Sequence, residues 1–346
     1  MNSAVTSTRL AVDNLRRALR LYGGNGTARA WSQLFSYIVR RPGRVSPPKI
    51  VTLAVTDRCP CACPHCYAGA IGSGGIDPMS REEWTGVIDQ VKGIGTLEVI
   101  FTGGEPLLRD DLPDLVACAH KKGLLTRLST NAYLLDRERV IELKRAGLDQ
   151  CGISMDDADP AVHDSLRGLP GLHERATRAL RLLREQGIRT RILAYASHRN
   201  VPEGLKRIIG LGRALGVDSV YINIPFAAGR WTGSFDEVLS EAEMAEIRAI
   251  LEPGFAYFEF PTPETRCCSF RKGILLITAN GEVTPCPVIP YPVGRLREAP
   301  LAEIWRRHVL AMRRSFRGTC PMNDERGREA LRAHAEAVAG TSGTKI

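Results

Sequence analysis

Ile50-Val51-Thr52-Leu53-Ala54-Val55-Thr56-Asp57-Arg58-Cys59-Pro60-Cys61-Ala62-Cys63-Pro64-His65-Cys66-Tyr67 opens the regular part of this chain, and the fold follows from how it continues. The apolar run Ile50–Val55 has strand length and ends at Thr56-Asp57, so it reads as a buried strand entering a loop. The same unit then recurs. A helix is expected over Ser80–Lys92, a strand over Leu97–Phe101, a helix over Leu112–Lys122, a strand over Leu124–Ser129 and a helix over Arg137–Arg145. Strand Gln150–Met155, helix Leu172–Gln186, strand Thr190–Ala196, helix Glu203–Leu215 and strand Ser219–Ile224 complete the series. Gly123, Gly147, Gly187 and Gly216 stand where helices stop, as glycine usually does. Strict alternation implies a parallel sheet with right-handed crossovers. Six units suggest an α/β fold, a partial (β/α)6 TIM-like barrel, with its active site at the carboxyl ends of the strands. The loop after Val55 therefore lies on the rim of a site.

That loop holds Cys59, Cys63 and Cys66, spaced C-x3-C-x2-C. Thiolates are natural ligands of iron–sulfur clusters, and three of them on a four-iron cluster leave one iron open to a small molecule. Zinc competes, since it takes four N/S ligands and Cys61 or His65 would complete the set. A loop of ordinary cysteines is the third reading. The second strand ends in Phe101-Thr102-Gly103-Gly104-Glu105-Pro106. Two glycines let a ligand approach the backbone, and a carboxylate beside them can accept hydrogen bonds from an ammonium group. Beside the cysteine loop, this is more specific than a tight turn.

Both motifs, in this order, resemble those of the radical S-adenosylmethionine (SAM) superfamily, over about residues 50–230. The resemblance implies a 4Fe–4S cluster on Cys59, Cys63 and Cys66, with SAM chelating the open iron. It implies that one electron breaks the sulfur–C5′ bond and that the 5′-deoxyadenosyl radical takes a hydrogen atom from substrate. An electron donor such as flavodoxin or ferredoxin is implied as partner. By the same resemblance Tyr67 sits beside adenine, and Gly103, Gly104 and Glu105 contact the methionine amine. Ser154 and Asp156 fall near the ribose, and Arg167 at the SAM carboxylate. Thr130-Asn131 resembles the family's Thr-Asn-Gly, with Ala132 in place of the glycine. Asn200 and Gly229-Arg230 recur in subgroups of the superfamily. For these secondary positions the structural alternative is a strand-end cap or a turn. Cys61 falls outside the family spacing, and His65 is expected not to ligate. Cys118 reads as core, and period-two alternation turns Cys151 outward.

After Ile224 the rhythm changes, with helices expected over Ser240–Leu251 and Leu301–Arg314. Asn280-Gly281 between apolar runs is a hairpin signal. Arg266-Cys267-Cys268-Ser269, the hairpin, Cys286, Gly294-Arg295 and Ile304-Trp305 resemble the SPASM or twitch extension of radical SAM enzymes. The resemblance implies one auxiliary Fe–S cluster on Cys268, Cys286 and Cys320, with Cys267 as a further candidate. A full SPASM domain continues with several closely spaced cysteines. Here only Cys320 follows, so twitch is the closer label. The alternative is a hairpin without metal. The expected organisation is an N-terminal helical extension (1–48), the core barrel (49–235), a linker helix with the twitch/SPASM-like β-hairpin-plus-helix domain (236–322) and a helical or disordered tail (323–346).

Of the 346 residues 44% are apolar and 25% charged, which is ordinary for a globular protein. No run approaches the ~20 apolar residues of a membrane span, and no secretory signal is visible. The Arg-rich start faintly resembles a transit peptide but reads better as an amphipathic helix, with Leu15, Leu19 and Tyr22 on one face. Ten cysteines without an export signal suggest metal ligation in a reducing cytoplasm. The net charge is +9, but Lys and Arg are dispersed, so nucleic acid is not indicated. A basic surface suits an acidic redox partner or an acidic peptide. Three functions follow. The first expectation is an epimerase, dehydrogenase or cyclase acting on a small molecule or natural product. The second is a maturase of a ribosomally made peptide, although residues 1–45 are too short and helical for a leader-binding domain. The third is a zinc-binding interaction module without catalysis.

Overall fold

A computed structural model describes residues 48–70, 78–259, 273–309, 320–323 and 325–341. Its strands are β1 (Ile50–Ala54), β2 (Glu98–Thr102), β3 (Leu125–Thr130), β4 (Gln150–Ser154), β5 (Arg189–Tyr195), β6 (Ser219–Asn223), β7 (Ala256–Phe258), β8 (Ile274–Ile277) and β9 (Val283–Thr284). They form one nine-stranded sheet in the order β7-β6-β5-β4-β3-β2-β1-β8-β9. Strands β1 to β7 pair in sequence and in parallel, and β8 lies parallel to β1 on its free side. Only β9 is antiparallel, folding back on β8 through Asn280-Gly281.

The helices are α1 (Arg81–Gly93), α2 (Leu112–Lys121), α3 (Arg137–Ala146), α4 (Pro160–Arg167), α5 (Leu172–Glu185), α6 (Glu203–Leu215), α7 (Glu241–Ile250), α8 (Leu301–Ile304) and α9 (Glu325–Thr341). Their ends follow local chemistry. Ser80 with Glu83, and Ser240 with Glu243, form capping boxes that satisfy the first amides of α1 and α7. Gly147, Gly168 and Gly216 close α3, α4 and α6 in the left-handed conformation. Helix α4 is absent from the reading of the sequence above, yet its signals are present: Asp159 accepts from Ala161 N and Val162 N, Pro160 takes the first turn and Gly168 stops it. The expected helix over Leu301–Arg314 is α8 running into a π-helical turn, Trp305–Val309; its remainder lies outside the described residues.

Alternation sorts side chains to the two faces of the sheet. Leu53, Phe101, Leu128, Ile153 and Ile192 point outward and are fully buried beneath the helices. Their neighbours Thr52, Ile100, Ser129, Ser154 and Leu193 point inward and line a cavity. Cys151 shares the outward phase and is buried, and Cys118 packs half-buried against the core, both as expected. The sheet runs across the expected boundary at residue 235, since β7 extends it beyond β6 and β8 beyond β1. The hairpin is thus mounted directly on the strand that feeds the cysteine loop.

Candidate active site

The cysteine loop is fixed by backbone contact with the turn after β2. Gly104 N donates to Thr56 O and Glu105 N to Arg58 O, both at 2.7 Å. Gly103 has φ +143°, and a Cβ on it would stand 2.2 Å from Thr56 O; one on Gly104 would stand 2.3 Å from Arg58 O. The glycines therefore serve first the approach of the cysteine loop itself, and both then line the cavity. The loop's far side is held by Arg167 O, which accepts from Ala62 N at 2.9 Å, and by Gly229-Arg230-Trp231. Arg230 N donates to Cys66 O and its Nη1 to Cys63 O, each at 3.0 Å. Gly229, at φ +64°, has no space for a Cβ, which would meet Cys66 O at 2.3 Å.

Cys59, Cys63, Cys66, Tyr67, Gly103, Gly104, Asn131, Ser154 and Arg167 all line one cavity of 240 Å³. The Cys61 thiol donates to Cys59 and, with Arg167 beside it, holds the Cys63 thiol down to about 6 against burial. Arg167 Nη1 lies 3.6 Å from Cys63 Sγ, and the same guanidinium pairs with buried Asp156 at 2.6 and 2.9 Å. Asn131 Nδ2 points at the loop, 3.3 Å from Cys61 Sγ and 3.7 Å from Cys59 Sγ. The Tyr67 hydroxyl meets Thr102 Oγ1 at 3.3 Å.

Glu105 differs from expectation. Its carboxylate does not reach the cavity; it is wholly buried and braces the β2 turn against the β3 turn. It accepts from Leu107 N at 3.1 Å, Thr130 Oγ1 at 2.6 Å and Asn131 N at 2.8 Å. Burial pushes it up to about 7 despite these donors. Ala132, where the family pattern has glycine, adopts φ 69°, so the position keeps the glycine conformation without the glycine.

Several cavity groups were not assigned a role from sequence. His65 stacks on Tyr195 with ring centroids 4.3 Å apart, Trp231 lies edge-on to both, and His65 Nε2 approaches Asp156 Oδ2 at 3.4 Å. Burial lowers His65 to about 4, so it is neutral near pH 7. Tyr195 ends β5 on the inward phase of Leu193, which is the signal that could have found it. On the C-terminal side Cys286 is buried, the Thr284 hydroxyl donates to Cys286 O at 3.0 Å, and the following Pro287 and Val288 line the cavity. Cys320 packs half-buried against the core, while Cys267 and Cys268 lie outside the described residues.

A parallel β/α sheet that gathers three cysteines of one loop against a Gly-Gly turn has the architecture of a cysteine-ligated iron–sulfur enzyme. A family model of the Radical SAM superfamily matches residues 53–224, and one described as an iron–sulfur cluster-binding domain matches residues 267–330. The AdoMet-dependent heme synthase of Nitratidesulfovibrio vulgaris is 31% identical, over 75% of this chain and 79% of its own. A PqqA peptide cyclase of Gluconobacter oxydans is 29% identical, over 79% and 80%. The fold is that of Streptococcus suis SuiB, solved bound to its precursor peptide SuiA, with TM-score 0.66 and 17% identity over 84% of this chain and 72% of SuiB. The chain belongs to the radical SAM superfamily and carries a C-terminal SPASM extension.

The donor set fits the family's cofactors, a 4Fe–4S cluster and SAM. Among the described residues no three His, Cys, Asp or Glu side chains converge as a metal cage. A four-iron cluster does not require this, because its thiolates bind separate irons. Held by Cys59, Cys63 and Cys66, a cluster with SAM would supply one-electron chemistry here. The chain's own part is to keep thiols, Arg167 and Asp156 aligned, and to wall the cavity with Leu193, Ile224, Phe226 and Val288, which limit water. Among the described residues no helix is long and apolar enough to cross a membrane.

Proposed function

We propose that this enzyme applies radical SAM chemistry to a peptide, setting aside the first expectation of a small molecule. The observation that carries the reading is the likeness to a PqqA peptide cyclase, 29% identical over 79% of this chain, together with the fold of SuiB solved on its precursor peptide. An extended peptide needs to bring only one residue to the radical. The heme synthase relative suggests a tetrapyrrole instead, and the test below decides between the two.

In this reading Cys59, Cys63 and Cys66 hold the SAM cluster, and Gly103, Gly104, Asn131, Ser154, Tyr67 and Arg167 surround SAM. Cys286 and Cys320, with Cys268 and Cys267, supply the auxiliary cluster within a unit spanning 236–322. The electron donor is an acidic protein of flavodoxin or ferredoxin type, matched to the net charge of +9. The described cysteines are free thiols, which suits a reducing cytoplasm. The test is anaerobic incubation of reconstituted enzyme with SAM, dithionite and synthetic peptides encoded by the short reading frames flanking its gene. A mass change in one peptide, matched by 5′-deoxyadenosine, is expected. Inert peptides and consumption of an iron tetrapyrrole would sink the proposal.

A further inference from the structure

Below the thiols the barrel interior is closed by charged and aromatic groups. Glu98 on β2 and Arg127 on β3 pair at 3.1 Å, both buried. Arg191 on β5, only 3% exposed, bonds Gln150 on β4 and lies over the Tyr221 ring at 4.6 Å. Tyr257 on β7 packs on Tyr221, with centroids 5.5 Å apart. Glu259, just past β7, rises from this layer into the cavity. Its N–H continues the ladder to Ile222 O at 3.0 Å, which fixes the backbone. Its side chain reaches from the edge strand toward Arg127, but Oε1 remains 3.9 Å away, too far for a hydrogen bond. Oε2 is buried and has no hydrogen-bond partner among the described residues.

A buried carboxylate oxygen without a donor is unfavourable, so a molecule in the cavity that brings one is favoured. Charge decides the kind of donor. Glu98, Arg127, Arg191 and Glu259 form a quartet whose formal charges cancel. A cation would leave this low-dielectric layer positive, and an anion would face Glu259 directly. A neutral N–H leaves the balance intact. We infer that Glu259 is a specificity-determining residue that accepts a hydrogen bond from an uncharged amide N–H of the substrate. This rests on the peptide reading above and deepens it: the amide belongs to the peptide backbone at the reacting residue or to an Asn or Gln side chain beside it.

The test compares wild type, Glu259→Gln and Glu259→Asp as anaerobically reconstituted holoenzymes with the same flanking-gene peptides. For Glu259→Gln, peptide KM should rise and kcat/KM fall by ~10- to 100-fold, the loss expected for one hydrogen bond to a charged acceptor. Fluorescence anisotropy of the labelled peptide on SAM-loaded enzyme should weaken in parallel. N-methylation of the contacting amide should cost wild type a similar factor and cost Glu259→Gln little, since both remove the same bond. Should Glu259→Gln not fold, Glu259→Asp keeps the quartet's charge, retracts the carboxylate and should show the same rise in KM. Wild-type KM and peptide binding in a folded variant, or a loss confined to SAM affinity, would overturn the assignment of Glu259. A wild-type enzyme that consumes an iron tetrapyrrole and no peptide would remove the peptide reading and the amide assignment together.

Discussion

Glu105 offers a test of the brace behind the cysteine loop that needs no cofactor. Burial pushes its carboxyl up to about 7 from the 4.5 of an ordinary glutamate. The sign follows from proton binding. Between these two values the folded protein holds a proton that the unfolded chain has released, so stability falls as pH rises through the window and is level above it. The gap of about 2.5 pH units corresponds to roughly 3 kcal/mol at 1.36 kcal/mol per unit. Glu105→Gln keeps the shape and an acceptor for Thr130 but cannot ionise, so this dependence vanishes. For a chain of this size roughly 2 °C accompanies each kcal/mol, and the variant should gain about 5 °C in Tm relative to wild type between pH 5 and pH 8. Reduced, cluster-free protein followed by circular dichroism suffices, because every other titrating group is common to both proteins and cancels in the difference. A difference in Tm that stays flat, or that moves against the variant as pH rises, would refute both the burial and the bracing role.

Gly104→Ala places a methyl 2.3 Å from Arg58 O, a backbone contact that can relax only by moving the cysteine loop. Iron bound after reconstitution should fall toward half of wild type, the share of the C-terminal cysteines, and full loading would show the loop to be more pliant than its packing implies. Ala132→Gly removes the left-handed penalty at φ 69°, roughly 1–2 kcal/mol, against the added chain entropy of glycine and a buried methyl worth about 0.8 kcal/mol, so Tm should stay within about 1–2 °C of wild type. Replacing Cys59, Cys63 and Cys66 together by Ala should abolish SAM cleavage and leave about four irons per chain on the C-terminal cysteines. No residual iron would mean that the hairpin is a plain substrate lid.

How much of this was legible in the sequence depends on how far each feature reaches along the chain. The β/α rhythm is local, carried by apolar runs and helix stops, and each strand from β1 to β6 lies within a residue or two of its expected place. Helix α4 was equally local, since Asp159-Pro160 and Gly168 bracket it, but its short length hid it between two longer elements. The hairpin at Asn280-Gly281 was readable, whereas the pairing of β8 with β1 joins segments more than 200 residues apart and no local pattern encodes it. The cavity divides in the same way. The thiols and glycines were found by spacing, but what the glycines are for was not. The expected close approach by a ligand is, in the first place, a close approach by the chain's own loop. Glu105 follows from that: once Thr56 and Arg58 occupy the space above the glycines, the carboxylate turns away from the cavity and finds Thr130 and Asn131 instead. His65, Asp156, Tyr195 and Glu259 come from four separate strand ends, and only the curvature of the sheet makes them neighbours. A motif thus names the cysteines and glycines of the cavity, while Tyr195 and Glu259 emerge only from strand register, because neither carries a local signal beyond its place at a strand end.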